Sequence, residues 1–423
     1  MQFAPDHARL QMDSFLVRGV NWLGDAVMST PALLRLREAY PNTRIALLTP
    51  EKLAGLWENH PAIDTVLTFS ASESVFAVGR RLRAEQFDAG LVLPNSFRSA
   101  FELWRARIPT RVGYTGNLRG WLLTRPVAQR TGVERMRKRS DREIRMLTQG
   151  RADGSANDEG SLTPTLSHPM GEGARREGEG TPSGSSTVHH IHQYLHLASQ
   201  MGASAVPLAP LVFITDRELE SVLGGLQPQV RPGQPLFGLN PGAEYGPAKR
   251  WPAERFIAAA REIQRRTDCV WLLFGGRGDV DLAGQIAQGI QSGAAAVQMG
   301  KARTRVINLA GATSLRELCV LLKACRVLLT NDTGPMHVAA AVGTPVVALF
   351  GSTSSALTGP TYAGGPSHTI LHAATPCAPC FRRKCPIDLR CLRGIEVSEA
   401  VRAVLQATQA SGCWNSGIGT SYR

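Results

Sequence analysis

The sequence predicts two doubly wound α/β domains that face one another across a cleft. Three observations carry that expectation. The chain has 423 residues, more than one domain usually holds. Apolar runs of strand length alternate with helix-length stretches in both halves, as in parallel sheets covered on both faces. The alternation breaks once, over a Gly/Ser/Pro-rich stretch, and then resumes.

In the first half, Phe15–Arg18, Arg44–Leu48, Thr65–Phe69 and Ala89–Leu93 read as strands. Asp25–Glu38, Glu51–Glu58 and Val75–Glu85 read as helices between them, with Pro31 expected to kink the first or shift its start. Residues 150–187 are rich in Gly, Ser, Thr, Pro and Glu and lack aliphatic periodicity. Such a segment buries too little surface to offset its ordering entropy, so a disordered insertion is expected there. The helical "HIHQYLHLASQMG" resumes after it. In the second half, Leu236–Leu239, Val270–Phe274, Val306–Leu309, Val327–Leu329 and Val346–Phe350 read as strands. Ala253–Arg265, Leu282–Gly289, Leu315–Leu322 and Met336–Val342 read as helices. The boundary falls within residues 202–213, giving domains of 1–205 and 206–423. Ligands of such sheets bind beyond the carboxyl ends of the strands, here in the cleft.

The formal charge of +13 suggests an anionic partner. No apolar run reaches the roughly 18–20 residues that span a bilayer, and the N-terminus lacks the apolar core of a secretory signal. A cytosolic protein is expected. Disulfides are then disfavoured. Of eight cysteines, Cys377, Cys380, Cys385 and Cys391 form C-x2-C-x4-C-x5-C, which is either a structural metal clip or a reduced cluster in a loop. No G-x-G-x-x-G follows a strand, and no P-loop or G-x-S-x-G elbow occurs, which disfavours nicotinamide, flavin, P-loop and serine-hydrolase chemistry.

Four strand–loop–helix turns carry candidate chemistry. In "VRGVNWLGDAVMSTP", Gly24 permits close backbone approach, and Asp25 either caps the helix or presents a general base to the cleft. In "GLNPGAEYGPAKRWPAERF", Lys249 and Arg250 beside a helix start suit a pyrophosphate, or form a solvated basic turn. Glu244 shares that loop and joins the donor-binding candidates. In "LLFGGRGDVDLAGQI", Asp279 and Asp281 form a D-x-D at a helix start. Ribose binding by Asp279 is preferred there to metal ligation, with a helix cap as the alternative. In "TNDTGPMHVAAAVGTPVVALFG", Asp332 can accept from sugar hydroxyls, Thr333 and Gly334 can offer donors, and His337 lies in the first helical turn, where a structural role competes. Arg98, Arg105, Arg107, Arg111 and "RMRKRSDR" (135–142) can meet an acidic acceptor or be solvated surface.

These stretches, with "LPNSFRSA", "RVGY" and "NLAGATSLREL", resemble the ADP-heptose:lipopolysaccharide heptosyltransferases of glycosyltransferase family 9. "PGAEYGPAKRWP" is most similar to the heptosyltransferase II branch, and "PCAPCFRRKCP" resembles a segment in a subset of the family. The resemblance implies a GT-B fold and an inverting, metal-independent transfer of L-glycero-D-manno-heptose from ADP-heptose to the heptosyl-Kdo2-lipid A inner core. It implies Asp25 as general base, Lys249 (and Arg250) on the donor phosphates, and Asp332, Thr333, Gly334 and His337 as the sugar-nucleotide loop. Asp279 would be a ribose contact. Of the arginines named above, Arg98 and Arg111 are taken from the charge pattern, not from the resemblance, as the candidates to meet the acceptor. No cofactor and no nucleic-acid partner are expected, only transient contact with the membrane surface. The alternatives are another nucleotide sugar as donor, or a non-catalytic nucleotide-sugar or glycolipid binding protein.

Overall fold

A computed structural model of the protein describes residues 12–134, 136–149, 187–226, 229–231, 233–292, 306–362 and 368–410. The stretch expected to be disordered lies outside these residues except for Thr187, and so does Arg135. The first half runs β1 (Ser14–Arg18), α1 (Leu23–Ala39), β2 (Arg44–Pro50), β3 (Thr65–Phe69), α2 (Val75–Ala84), β4 (Ala89–Val92), α3 (Phe97–Arg105), β5 (Thr110–Tyr114) and β6 (Arg125–Val127). Three helices follow: α4 (Asp141–Gln149), α5 (Ile191–Ser199) and α6 (Asp216–Gly225).

The second half runs β7 (Leu236–Asn240), α7 (Ala253–Thr267), β8 (Val270–Leu273), α8 (Val280–Gln291), β9 (Val306–Asn308), α9 (Leu315–Ala324) and β10 (Leu328–Asn331). It continues through α10 (Gly334–Ala341), β11 (Val346–Phe350), α11 (Ser355–Thr358), β12 (Thr369–His372), α12 (Arg390–Arg393) and α13 (Val397–Ala410). The expected helix at Glu51–Glu58 is a 3-10 turn over Glu51–Leu56.

The two sheets have the orders β3-β2-β1-β4-β5-β6 and β12-β11-β10-β7-β8-β9. Their strands pair in parallel throughout. Counted within its own half, each is the 3-2-1-4-5-6 order of a doubly wound sheet. The order reverses between β1 and β4 in one sheet and between β7 and β10 in the other. Crevices therefore open at the carboxyl ends of those strands.

α1 is buried nearly all round, from Ala26 through Leu33 and at Leu36. It lies on its own sheet, with α5 along one side and α10 of the second half along another. A helix apolar on every face is stable only with such cover. Pro31 does not break it. The carbonyl of Val27, which Pro31 cannot serve, accepts the Thr30 hydroxyl at 2.8 Å instead. No helix among the described residues is long and apolar enough to cross a membrane.

Candidate active site

α1 begins two residues earlier than its pattern suggests, with Trp22 at the N-cap and no side-chain cap. Asp25 therefore sits inside the first turn. Its Oδ1 accepts a hydrogen bond from Tyr194 Oη of α5 at 3.2 Å. Burial pushes the Asp25 carboxyl above its ordinary range, against the opposing pull of His190, the Tyr194 bond and Lys249. A poorly solvated carboxylate of this kind is a competent proton acceptor.

Facing it, α10 brings His337, whose Nδ1 lies 3.0 Å from Tyr362 Oη. Burial pushes this imidazole down to about 3, so the ring is neutral at physiological pH. The ring fills the space beside Gly24: a Cβ there would stand 2.8 Å from His337 Cδ2 and 3.1 Å from Nε2. Gly334 does the same for Leu23, whose Cδ2 would lie 2.9 Å from a Cβ. The two glycines let the first turns of α1 and α10 meet, and so bring the two domains' loops onto one cavity.

The second domain supplies a charged cradle. Lys249 closes a 3-10 turn, and its Nζ donates to Asp332 Oδ2 at 2.6 Å and lies 5.0 Å above the Tyr245 ring. Thr353 Oγ1 donates to the same oxygen at 2.5 Å. Buried Asn331 ties the loops together, donating to the Pro241 carbonyl at 2.7 Å and accepting from the Trp251 amide at 3.0 Å. A cavity of about 530 Å³ is lined by Gly24, Asp25, Lys138, His190, Glu244, Lys249, Asp332, Thr333, Gly334 and His337, among others. A second groove, about 390 Å³, shares Met136 and His190 with it and is also lined by Asn95, Tyr114 and Arg130.

Other expected site residues lie elsewhere. Arg250 pairs with Asp279 at 2.9 Å, and Asp279 Oδ2 accepts from the Gly276 amide at 3.1 Å. That carboxylate sits over Gly242, where a Cβ would come within 2.4 Å of it. Neither Arg250 nor Asp279 lines the cavity; Asp279 stands at the N-cap of α8 without a side-chain cap bond, its carboxylate turned back to the Gly276 amide. Arg98 bonds Glu102 at 3.0 Å and the Glu73 carbonyl at 2.8 Å, while Arg111 holds the carbonyls of Leu122 and Ile108. Both are tied to their own domain and do not line the cavity.

Cys377, Cys380, Cys385 and Cys391 form no disulfide and border one small cavity together with Ile144 of α4. Burial, aided by its three neighbours, pushes the Cys391 thiol up to about 12. Among the described residues no three His, Cys, Asp or Glu side chains are grouped to hold a metal ion. Sequence reasoning missed Tyr194, His190, Tyr362 and Thr353. Thr353 was within reach, since it follows β11 as Lys249 follows β7. The other three come from a helix, its leading turn and a loop, with no local pattern to mark them.

Two Rossmann-like domains with a site made from the strand-end loops of both form the GT-B arrangement. The chain belongs to glycosyltransferase family 9 (heptosyltransferase), whose sequence profile matches residues 75–142 and 185–390. It is 29% identical over 358 residues to lipopolysaccharide heptosyltransferase 2 of Salmonella typhimurium, covering 82% of this chain and 84% of that protein. It is likewise 29% identical over 352 residues to lipooligosaccharide heptosyltransferase 2 of Haemophilus influenzae, covering 82% and 86%. Its structure resembles that of ADP-heptose lipopolysaccharide heptosyltransferase II of Escherichia coli, with a TM-score of 0.70 at 23% identity over 94% of this chain and 99% of that one. At that identity the structural likeness speaks for the fold.

Proposed function

We propose that this enzyme transfers L-glycero-D-manno-heptose from ADP-heptose to heptosyl-Kdo2-lipid A in the lipopolysaccharide inner core, with inversion at the anomeric carbon. One observation carries the chemistry: a half-buried carboxylate from the first domain and a lysine cradle from the second line a single cavity. In the reaction, Asp25 takes the proton of an acceptor hydroxyl as that oxygen attacks the anomeric carbon. The bond to ADP breaks on the opposite face. The charge left on the diphosphate meets Lys249 and the positive end of α10, a preorganised form of stabilisation that is often the largest catalytic contribution. Asp332 holds Lys249 in place until the diphosphate competes for it, and Thr353 holds Asp332.

Donor specificity for heptose follows the relatives named above, which match over four-fifths of the chain. Residues 1–205 are the acceptor side and 206–423 the donor side; α5 packing on α1, and α6 on α9, support a boundary between α5 and α6. Because Arg98 and Arg111 are engaged in their own domain, Lys138 and Arg130, which line the two cavities, are better placed to meet acceptor phosphates. The acceptor is lipid-anchored, so the protein works in the cytoplasm in transient contact with an anionic membrane surface.

Purified protein given ADP-heptose and heptosyl-Kdo2-lipid A should release ADP as the acceptor gains one heptose by mass. ADP release that ignores the acceptor, or preference for another nucleotide sugar, would overturn the proposal.

A further inference from the structure

On the first domain, Phe76 of α2, Phe97, Phe101 and Trp104 of α3, and Trp121 in the turn after β5 form one cluster. Neighbouring ring centroids are 5.3 to 6.2 Å apart. The rings are in solvent: Trp121 is 64% exposed, Phe76 56%, Phe97 43% and Trp104 40%. Along α3 the aromatic residues recur at i, i+4 and i+7, one face of the helix. The face turned inward carries Ser99, Ala100, Glu102 and Leu103. A helix that covers only its own core puts rings in and carboxylates out. α3 does the reverse, with the Glu102 carboxylate fully buried against Arg18 at 2.7 Å. An exposed patch of this kind marks an interaction surface.

The charge around it has one sign. Between Val75 and Arg125 there are nine arginines and three acidic residues. All three acids are occupied: Glu85 by Arg44, Asp88 by the amides of Asp13 and Ser14, and Glu102 by Arg18 and Arg98. Arg80 and Arg83 follow Phe76 on the same face of α2. Together with Arg107 and Arg125 they make no ion pair among the described residues. Aromatic rings beside unpaired guanidinium groups match the headgroup layer of an anionic bilayer, where rings sit at the interface and arginines bind phosphate. A second copy docked face to face would set arginine against arginine.

The patch is also joined to the groove. Buried Arg119, just before the turn that carries Trp121, donates to Asn95 Oδ1 at 2.9 Å and to the Tyr114 carbonyl at 2.8 Å. Asn95 and Tyr114 line the 390 Å³ groove.

We infer that this face docks on the anionic headgroup layer of a phospholipid membrane, seating the rings among headgroups and the groove beside them. The inference rests on the proposed lipid-anchored acceptor, and it names the surface that meets the lipid. The intact protein should co-sediment with phosphatidylcholine vesicles containing phosphatidylglycerol, and more weakly with phosphatidylcholine alone. Binding should fall as salt rises. Trp104→Ser/Trp121→Ser should weaken it by about tenfold or more and abolish tryptophan quenching by brominated lipid. Arg80→Glu/Arg83→Glu, on an exposed helix face, should remove the preference for anionic lipid. Both variants should keep the wild-type melting temperature and affinity for ADP.

Wild-type protein that stays in the supernatant, or a double tryptophan variant that sediments unchanged, would overturn the inference. So would a concentration-dependent dimer lost in the tryptophan variant without any vesicle binding. Vesicle binding needs no donor sugar. Transfer to a delipidated, soluble acceptor needs no vesicle, so failure of this inference and failure of the heptose reading give different results.

Discussion

Gly24→Ala tests whether the two domains meet as described. The new methyl would lie 2.8 Å from His337 Cδ2 and 3.1 Å from Nε2. Carbon contacts settle near 3.5–4.0 Å, so α1 and α10 must part by about 0.7–1.2 Å, or the ring must turn. The ring is not free to turn, because it is buried and its Nδ1 is 3.0 Å from Tyr362 Oη. Overpacking of this kind costs about 1–3 kcal/mol. Asp25 is the next residue and moves with Gly24, and a displacement of about 1 Å at a reacting group lowers rate by about 10²-fold. Acceptor-dependent ADP release should therefore fall by about 10²-fold, with donor affinity kept and the urea midpoint lowered. In a His337→Ala background the obstacle is gone, and Gly24→Ala should cost less than about 0.5 kcal/mol. Equal penalties in both backgrounds, or no penalty in either, would refute the close approach.

Asp25→Asn should cut turnover by about 10²–10⁴. It should also raise the melting temperature at neutral pH, because the folded carboxyl titrates above its ordinary value and the ionised form opposes folding. Tyr194→Phe removes a bond that favours the carboxylate. It should move the acid limb of kcat/KM to higher pH, and an unmoved limb would separate Asp25 from the proton transfer. Burial holds His60 and His189 down to about 4 and His337 to about 3, against an ordinary 6.5. Their folded values lie below the unfolded one, so stability is full above about pH 6.5 and falls as pH drops toward 4 and then 3. Near pH 5 the loss is on the order of 2 kcal/mol per histidine. Urea midpoints at pH 7, 6 and 5 measure it, and a flat series would contradict the burial. Glu102→Ala strands Arg18 without a counter-charge and should cost about 3–5 kcal/mol, with most of that recovered in Arg18→Met/Glu102→Leu.

The two α/β domains were legible because parallel strands covered on both faces read as unbroken apolar runs, as in β7, β10 and β11. α3 was not, because its periodicity points the wrong way: a pattern reading would send Phe97, Phe101 and Trp104 into the core and leave Glu102 in water. β6 and β12 are edge strands of three and four residues, too short for a pattern to betray them. Tyr194 and Tyr362 are set on Asp25 and His337 by packing between segments far apart in the chain, which no local motif encodes.

Strand-end position was the guide to the site, and its uneven success has a physical cause. Asp25, Asp332 and Asp279 each follow the carboxyl end of a strand, yet only the first two line the cavity. Behind Asp279 is Gly242, whose missing Cβ leaves a space that the carboxylate occupies at 2.4 Å, within reach of Arg250 and the Gly276 amide. A carboxylate satisfied by a guanidinium and an amide gains little by turning out to a hydroxyl. Asp332 is also satisfied, by Lys249 and Thr353, but it and its partner lysine both line the cavity. Among the described residues Asp25 has only a tyrosine hydroxyl as its hydrogen-bonded partner, and burial raises its affinity for a proton. What separates the three carboxylates is therefore the partner each already holds, and that is decided by neighbours such as Gly242, Lys249 and Tyr194 rather than by place in the strand–loop–helix unit.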